Sequence, residues 1–118
     1  METTQPPPDV FLSTRKMRRV LTALADKWTI LVIYALADET KRFSQLKREL
    51  KGISQKMLTQ TLRKLEQYQL VIRTVHAAVP PMVEYTLTPI GKSLIKPLTS
   101  FSRWADAYMR AVEAKTSK

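Results

Sequence analysis

The sequence predicts a mainly α fold carrying one small β-hairpin, an α+β arrangement, on three observations. Apolar residues recur at helical spacing over most of the 118 residues. Two stretches, 70–75 and 83–87, change instead to a period of two. Between them stands Pro80-Pro81, at a hairpin tip where neither ring interrupts a central ladder.

The elements follow in order. Residues 1–9 are polar and contain three consecutive prolines, so 1–12 reads as a disordered, proline-rich tail and 13–112 as one domain. From about Thr14 the helical period begins, with Met17, Val20, Leu21 and Leu24 on one face and Arg15, Lys16, Arg18 and Arg19 on the other. Asp26 is the expected N-cap of a second helix, KWTILVIYALAD over 27–38. That helix is apolar nearly all round, which marks it as the buried one.

Lys41-Arg42-Phe43 reads as a short extended piece. Ser44 is expected to cap a brief third helix with Leu46 and Leu50 inward, and Gly52 to end it. Ser54 caps a fourth helix, and Ile53 before the cap can staple to Leu58 inside it. After the hairpin, Thr88-Pro89 starts a helix over 88–114 with proline at its first position. Pro97 should bend or divide that helix. A helix, a glycine turn and a helix over 44–67, followed by a hairpin over 70–87, is a winged helix-turn-helix.

Twenty Lys+Arg against ten Asp+Glu give +10, a balance that favours a polyanionic partner such as nucleic acid. The surplus peaks between Lys41 and Arg73, where nine bases stand against Glu49 and Glu66. There is no cysteine, so disulfides and thiolate chemistry are excluded. One histidine builds no metal site, and no cofactor is implied. No nucleophile–base pair or glycine-rich phosphate loop points to an enzyme. No apolar run reaches the roughly 20 residues a membrane helix needs, and 1–10 lacks the features of a signal peptide. A cytoplasmic protein is expected.

KWT at 27–29, RFSQL at 42–46, GISQKMLTQTLRKLE at 52–66, LVIRTV at 70–75 and VPPMVEYTLTPIGKSL at 79–94, with Trp104, resemble the HxlR family of bacterial winged-helix regulators. The resemblance spans roughly 15–110. It implies a dimeric transcription factor, repressor or activator, with the fourth helix in the major groove of an inverted-repeat operator and the hairpin alongside. The chain departs from the family pattern in four places. Arg15-Lys16 occupies the neighbourhood where some members carry a cysteine switch, and Ala25-Asp26 replaces a glycine pair. Met82 and Ala78 replace the usual basic and acidic residues around Pro80-Pro81.

In the fourth helix Leu58, Leu62 and Leu65 form one stripe, and Lys56, Gln60, Arg63 and Gln67 stand opposite with Thr59 and Lys64 at the flanks. A solvated face usually mixes acids with bases; this one carries amides, hydroxyls and cations. Arg and Lys donate to guanine, Gln pairs with adenine, and Ser or Thr serves either edge. Ser54, Gln55, Lys56, Thr59 and Gln60, nearest the helix start, should reach deepest. For Ser54, capping alone is the equal alternative. Arg63 and Lys64 follow on the same helix. Arg73 and His76 on the wing are candidates for phosphate or minor-groove contact, though His76 reads equally as an exposed loop residue. Lys41, Arg42 and Lys47 are candidate phosphate contacts, where an ordinary solvated edge would look similar.

In the last helix Leu94, Leu98, Phe101, Ala105, Tyr108 and Val112 step by 4, 3, 4, 3 and 4, and Trp104 widens the seam. With Met17 and Leu21 of the first helix, Leu98, Phe101, Trp104, Ala105, Tyr108 and Val112 form the candidate homodimer interface. A small hydrophobic effector, if one acts, is expected between helices near Trp28 and this seam. The competing readings are a non-specific, architectural DNA binder and a winged helix used for protein contact.

Overall fold

The computed structural model describes residues 15–116; the tail expected over 1–12 lies outside the described residues. In chain order the elements are α1 (Arg15–Leu24), α2 (Lys27–Ala35), β1 (Lys41–Arg42), α3 (Phe43–Glu49), α4 (Gln55–Gln67), β2 (Val71–His76), β3 (Met82–Leu87), α5 (Pro89–Lys92) and α6 (Ile95–Thr116). Helices dominate, and one three-stranded antiparallel sheet of order β1-β3-β2 stands beside them. The expected hairpin is thus joined by a third strand: Tyr85 faces Arg73 on one side and Lys41 on the other.

One core holds the helices to the base of the sheet. Val32, Ile33 and Leu36 supply the α2 side, Leu46, Leu50 and Ile53 the α3 side, and Leu58, Leu62 and Leu65 the α4 stripe. Val71, Tyr85 and Leu87 close it from the strands. Each fully buried aliphatic side chain contributes about 1.5–3 kcal/mol. Asp26 caps α2 as expected, accepting from the Thr29 amide at 3.1 Å and the Thr29 hydroxyl at 2.9 Å, so the fully buried threonine is satisfied.

Two local expectations are corrected. The second helix stops at Ala35 rather than 38: the Leu36 amide shares the carbonyls of Val32 and Ile33, and the Ala37 amide turns back to Tyr34, which tightens the last turn. The third helix is not capped by Ser44. Arg42, extended by its pairing with Glu84, is the N-cap without a side-chain bond, and Ser44 falls inside the first turn. Along β2, Val71 reaches the core while Ile72 and Val75 are both exposed.

The helix expected over 88–114 is divided, as Pro97 allows. Thr88 caps α5 through the Gly91 amide, at 3.0 Å, and its own hydroxyl donates to the Gln69 carbonyl at 2.8 Å. Gly91 permits this docking, since a Cβ there would lie 2.1 Å from the Leu70 carbonyl oxygen. A turn at 93–94 follows, and α6 then runs on to Thr116. Pro97 sits in the first turn of α6, where its missing amide costs no intrahelical bond.

Candidate nucleic-acid interface

Helix α4 is set in place by local chemistry. Leu50 and Ile53 close a turn by a 3.1 Å bond between carbonyl and amide, with Gly52 at φ +92°. A Cβ at Gly52 would meet nothing within 4 Å, so backbone conformation, not space, requires the glycine. Ser54 then caps α4, its Oγ accepting from the Met57 amide at 3.0 Å. Ile53 and Leu58 are both buried in the core, which fits the staple.

Along α4 Leu58, Thr61, Leu62 and Leu65 are buried while Gln55, Lys56, Gln60 and Arg63 are exposed. Thr59 is half-buried at the side turned to the sheet. At the far end the Leu70 amide bonds to the Leu65 carbonyl at 2.9 Å and the Gln69 amide to Glu66 at 3.0 Å. These two bonds form a Schellman motif, with Gln69 left-handed at φ +62°. The helix is therefore fixed at both ends, and its polar face projects from the domain as a rigid unit.

The predicted cations divide into two groups. Arg42, Lys47, Lys56, Arg63 and Arg73 are exposed. Lys41 is drawn in, its side chain 12% exposed and its ammonium 2.5 Å from Glu49. Lys64 lies 2.6 Å from Asp26, tying α4 to the start of α2. His76 pairs across the wing with Glu84 at 2.6 Å. Lys41, Lys64 and His76 thus have partners within the fold.

The structure also brings together residues that are far apart in sequence. Gln55, Thr59 and Arg63 of α4 face Arg73 of β2 across a cleft of about 510 Å³, whose wall includes Phe43, Val83 and Tyr85. Phe43, Val83, Tyr85 and Glu66 were not anticipated there. Phe43, Val83 and Tyr85 owe their place to the Arg73–Tyr85 register and to β1 joining the sheet, neither of which leaves a local pattern, whereas Glu66 follows Thr59 and Leu62 at helical spacing on α4.

Among the dimer candidates, Met17 and Leu21 are exposed on α1. Phe101, Trp104 and Tyr108 form an exposed aromatic ladder on α6, with ring centroids 6.2 and 5.3 Å apart and planes 9° and 17° from parallel. Val112 continues it, Ala105 is half-buried, and Leu98 packs against the domain's own core. Among the described residues no group of three His, Cys, Asp or Glu could hold a metal, and no helix is long and apolar enough to cross a membrane.

Residues 23–113 match the family described as HxlR-like helix-turn-helix. An HTH-type transcriptional regulator of uncharacterised role from Escherichia coli K12, YtfH, is 36% identical over 106 residues, covering 90% of this chain and 84% of the relative. The solved structure of a proposed transcriptional regulator, ytfH from Salmonella typhimurium, superposes with a TM-score of 0.79 at 35% identity, over 93% of this chain and 98% of that one. The reduced form of the transcriptional regulator YodB from Bacillus subtilis superposes with a TM-score of 0.70 at 37% identity, over 80% and 93%.

Proposed function

Because the chain belongs to the HxlR-like helix-turn-helix family and is a sequence-specific DNA-binding transcriptional regulator, we propose that it reads its operator by laying α4 in the major groove. The observation that carries this reading is the exposed face of Gln55, Lys56, Gln60 and Arg63 directly behind a buried leucine stripe. Ser54 and Thr59 flank the face at the end that enters first. Amides and guanidiniums in this setting suit base edges better than phosphate alone. Arg42, Lys47 and Arg73 contact phosphate from either side and hold the register. Lys41 and Lys64 act differently from the rest: paired with Glu49 and Asp26, they fix the frame that presents the readers.

The protein works as a homodimer in the cytoplasm, joined through the aromatic ladder of α6 and the apolar face of α1. Two copies then meet an inverted repeat whose half-site centres lie about one helical turn apart, roughly 34–36 Å. No thiol switch operates in this chain, since its 118 residues contain no cysteine. Footprinting on the DNA upstream of its own gene and its neighbours tests the reading. A discrete palindromic footprint is expected; diffuse protection would favour an architectural binder, whose charge surplus alone suffices.

A further inference from the structure

We propose that the cleft between α4 and the wing is a receptor site for a small aromatic carboxylate, and that this ligand displaces DNA by direct competition. The inference rests on the reading of α4 given above, whose regulation it specifies. Arg63 and Arg73 line the cleft from different elements, and neither guanidinium has an ion-pair or hydrogen-bond partner among the described residues. Two cations without an ion-pair partner, facing one space, favour an anion between them. A guanidinium offers a carboxylate two parallel donors.

The remaining walls narrow the class of ligand. Phe43 is half-buried and Tyr85 buried, so an apolar, aromatic surface backs the two cations. Thr59 and Gln55 add neutral donors and acceptors. The volume, about 510 Å³, is within the range of small-molecule sites and exceeds what an inorganic anion fills. Glu66 also lines the cleft, so the charged lining carries a single net positive charge. That balance suits a monoanion with one or two rings better than a phosphate dianion. This cleft is separate from the space near Trp28 and the α6 seam where the sequence places an effector.

The consequence is a switch that needs no conformational change. Arg63, Gln55 and Thr59 cannot serve a base edge and a ligand together, so occupancy by one excludes the other. The apparent operator dissociation constant then rises in proportion to ligand concentration once the site is filled.

The test uses the full chain and 1-naphthoate as probe, by calorimetry without DNA. One molecule is expected to bind per chain. Arg63→Gln and Arg73→Gln, both exposed and so neutral to folding, should each weaken it about tenfold or more. 1-Naphthamide should bind far more weakly, and inorganic phosphate at matched ionic strength should not displace the naphthoate. The operator dissociation constant should rise steadily with added naphthoate. Absence of binding up to millimolar concentration overturns the proposal, and so does equal binding by both variants, by the amide or by phosphate. Naphthoate binding that leaves operator affinity unchanged overturns the competition. The reading of α4 stands or falls separately, on Gln60→Ala, because Gln60 is not part of the cleft wall.

Discussion

Lys64 Nζ lies 2.6 Å from Asp26 Oδ2, so α4 is moored to the carboxylate that caps α2. Burial pushes the Asp26 carboxyl up, but the bonds from Lys64 and Thr29 and the nearby ammonium outweigh it, and the pKa ends below its ordinary 3.8. A lowered folded-state pKa contributes stability that is present above about pH 4 and lost as pH falls through the folded value. Asp26→Ala should cost about 0.5–2 kcal/mol through the lost cap. Lys64→Met removes a half-exposed pair and should cost only about 0.2–1 kcal/mol. Asp26→Asn keeps a capping oxygen and should flatten the loss of stability below pH 4. Denaturant melts at pH 7 and pH 3 check this; an unchanged pH slope in Asp26→Asn would sink it.

Gln69 ends α4 in the left-handed region at φ +62°, a conformation that costs a side chain about 1–2 kcal/mol and glycine almost nothing. Part of the gain from glycine is offset by the greater freedom of its unfolded chain. Gln69→Gly should therefore stabilise the domain by about 0.5–1 kcal/mol. The two Schellman bonds and the Thr88 bond to the Gln69 carbonyl involve backbone there and survive the change. A melting temperature at or below wild type would show that the side chain contributes more than its strain.

Gln60→Ala and Lys56→Ala should each weaken operator binding by about 1–3 kcal/mol and leave the melting curve unchanged, since both side chains are exposed. Lys47→Ala should act otherwise, weakening all sequences alike and reducing the salt slope by about one. Titrations on operator and scrambled duplexes at several salt concentrations separate the two patterns. Specific binding that survives both α4 changes would remove α4 as the reader.

What was legible in the sequence was local. The cap Ser54, the turn glycine and the leucine stripe fall within one short run, so α4 and its polar face could be read directly. The partners of Lys64 and Lys41 could not, because each is fixed by tertiary docking of another element. Lys41-Arg42-Phe43 was legible as an extended piece, but two residues carry no sign of their pairing with β3, and with that pairing went the cleft wall of Phe43 and Tyr85. Gln69 hides a helix terminus that glycine would have announced. The α6 seam was legible as one stripe but does two things: Leu98 packs on the domain, and Phe101 onward projects from it. A helix of 22 residues spans about 33 Å, and its hydrophobic packing on the core is through Ile95 and Leu98 in its first turn.

Operator binding should be indifferent to diamide and to thiol reductants, because no thiol exists in the 118 residues to be oxidised. Band-shift titrations with and without each reagent check this. A reversible loss of binding on diamide would require a different target.

The α6 ladder supplies the remaining prediction. Phe101, Trp104 and Tyr108 are 61%, 60% and 54% exposed, and each aromatic side chain can bury about 150–250 Å². Left in water, the three stacked rings make one contiguous exposed apolar patch, of the kind that marks an interaction site. A second copy of the same ladder covers it most simply, since a two-fold interface is self-complementary. Trp104→Asp and Tyr108→Asp place a charge in that interface without touching the core, so each should give a folded monomer that binds half-sites weakly. Leu98→Asp is the poorer test: Leu98 packs against the core, and the change would unsettle the fold itself. Light scattering at micromolar concentration decides the matter. A dimeric wild type beside folded, monomeric variants is the expected result, and a monomeric wild type would refute the assignment of this face.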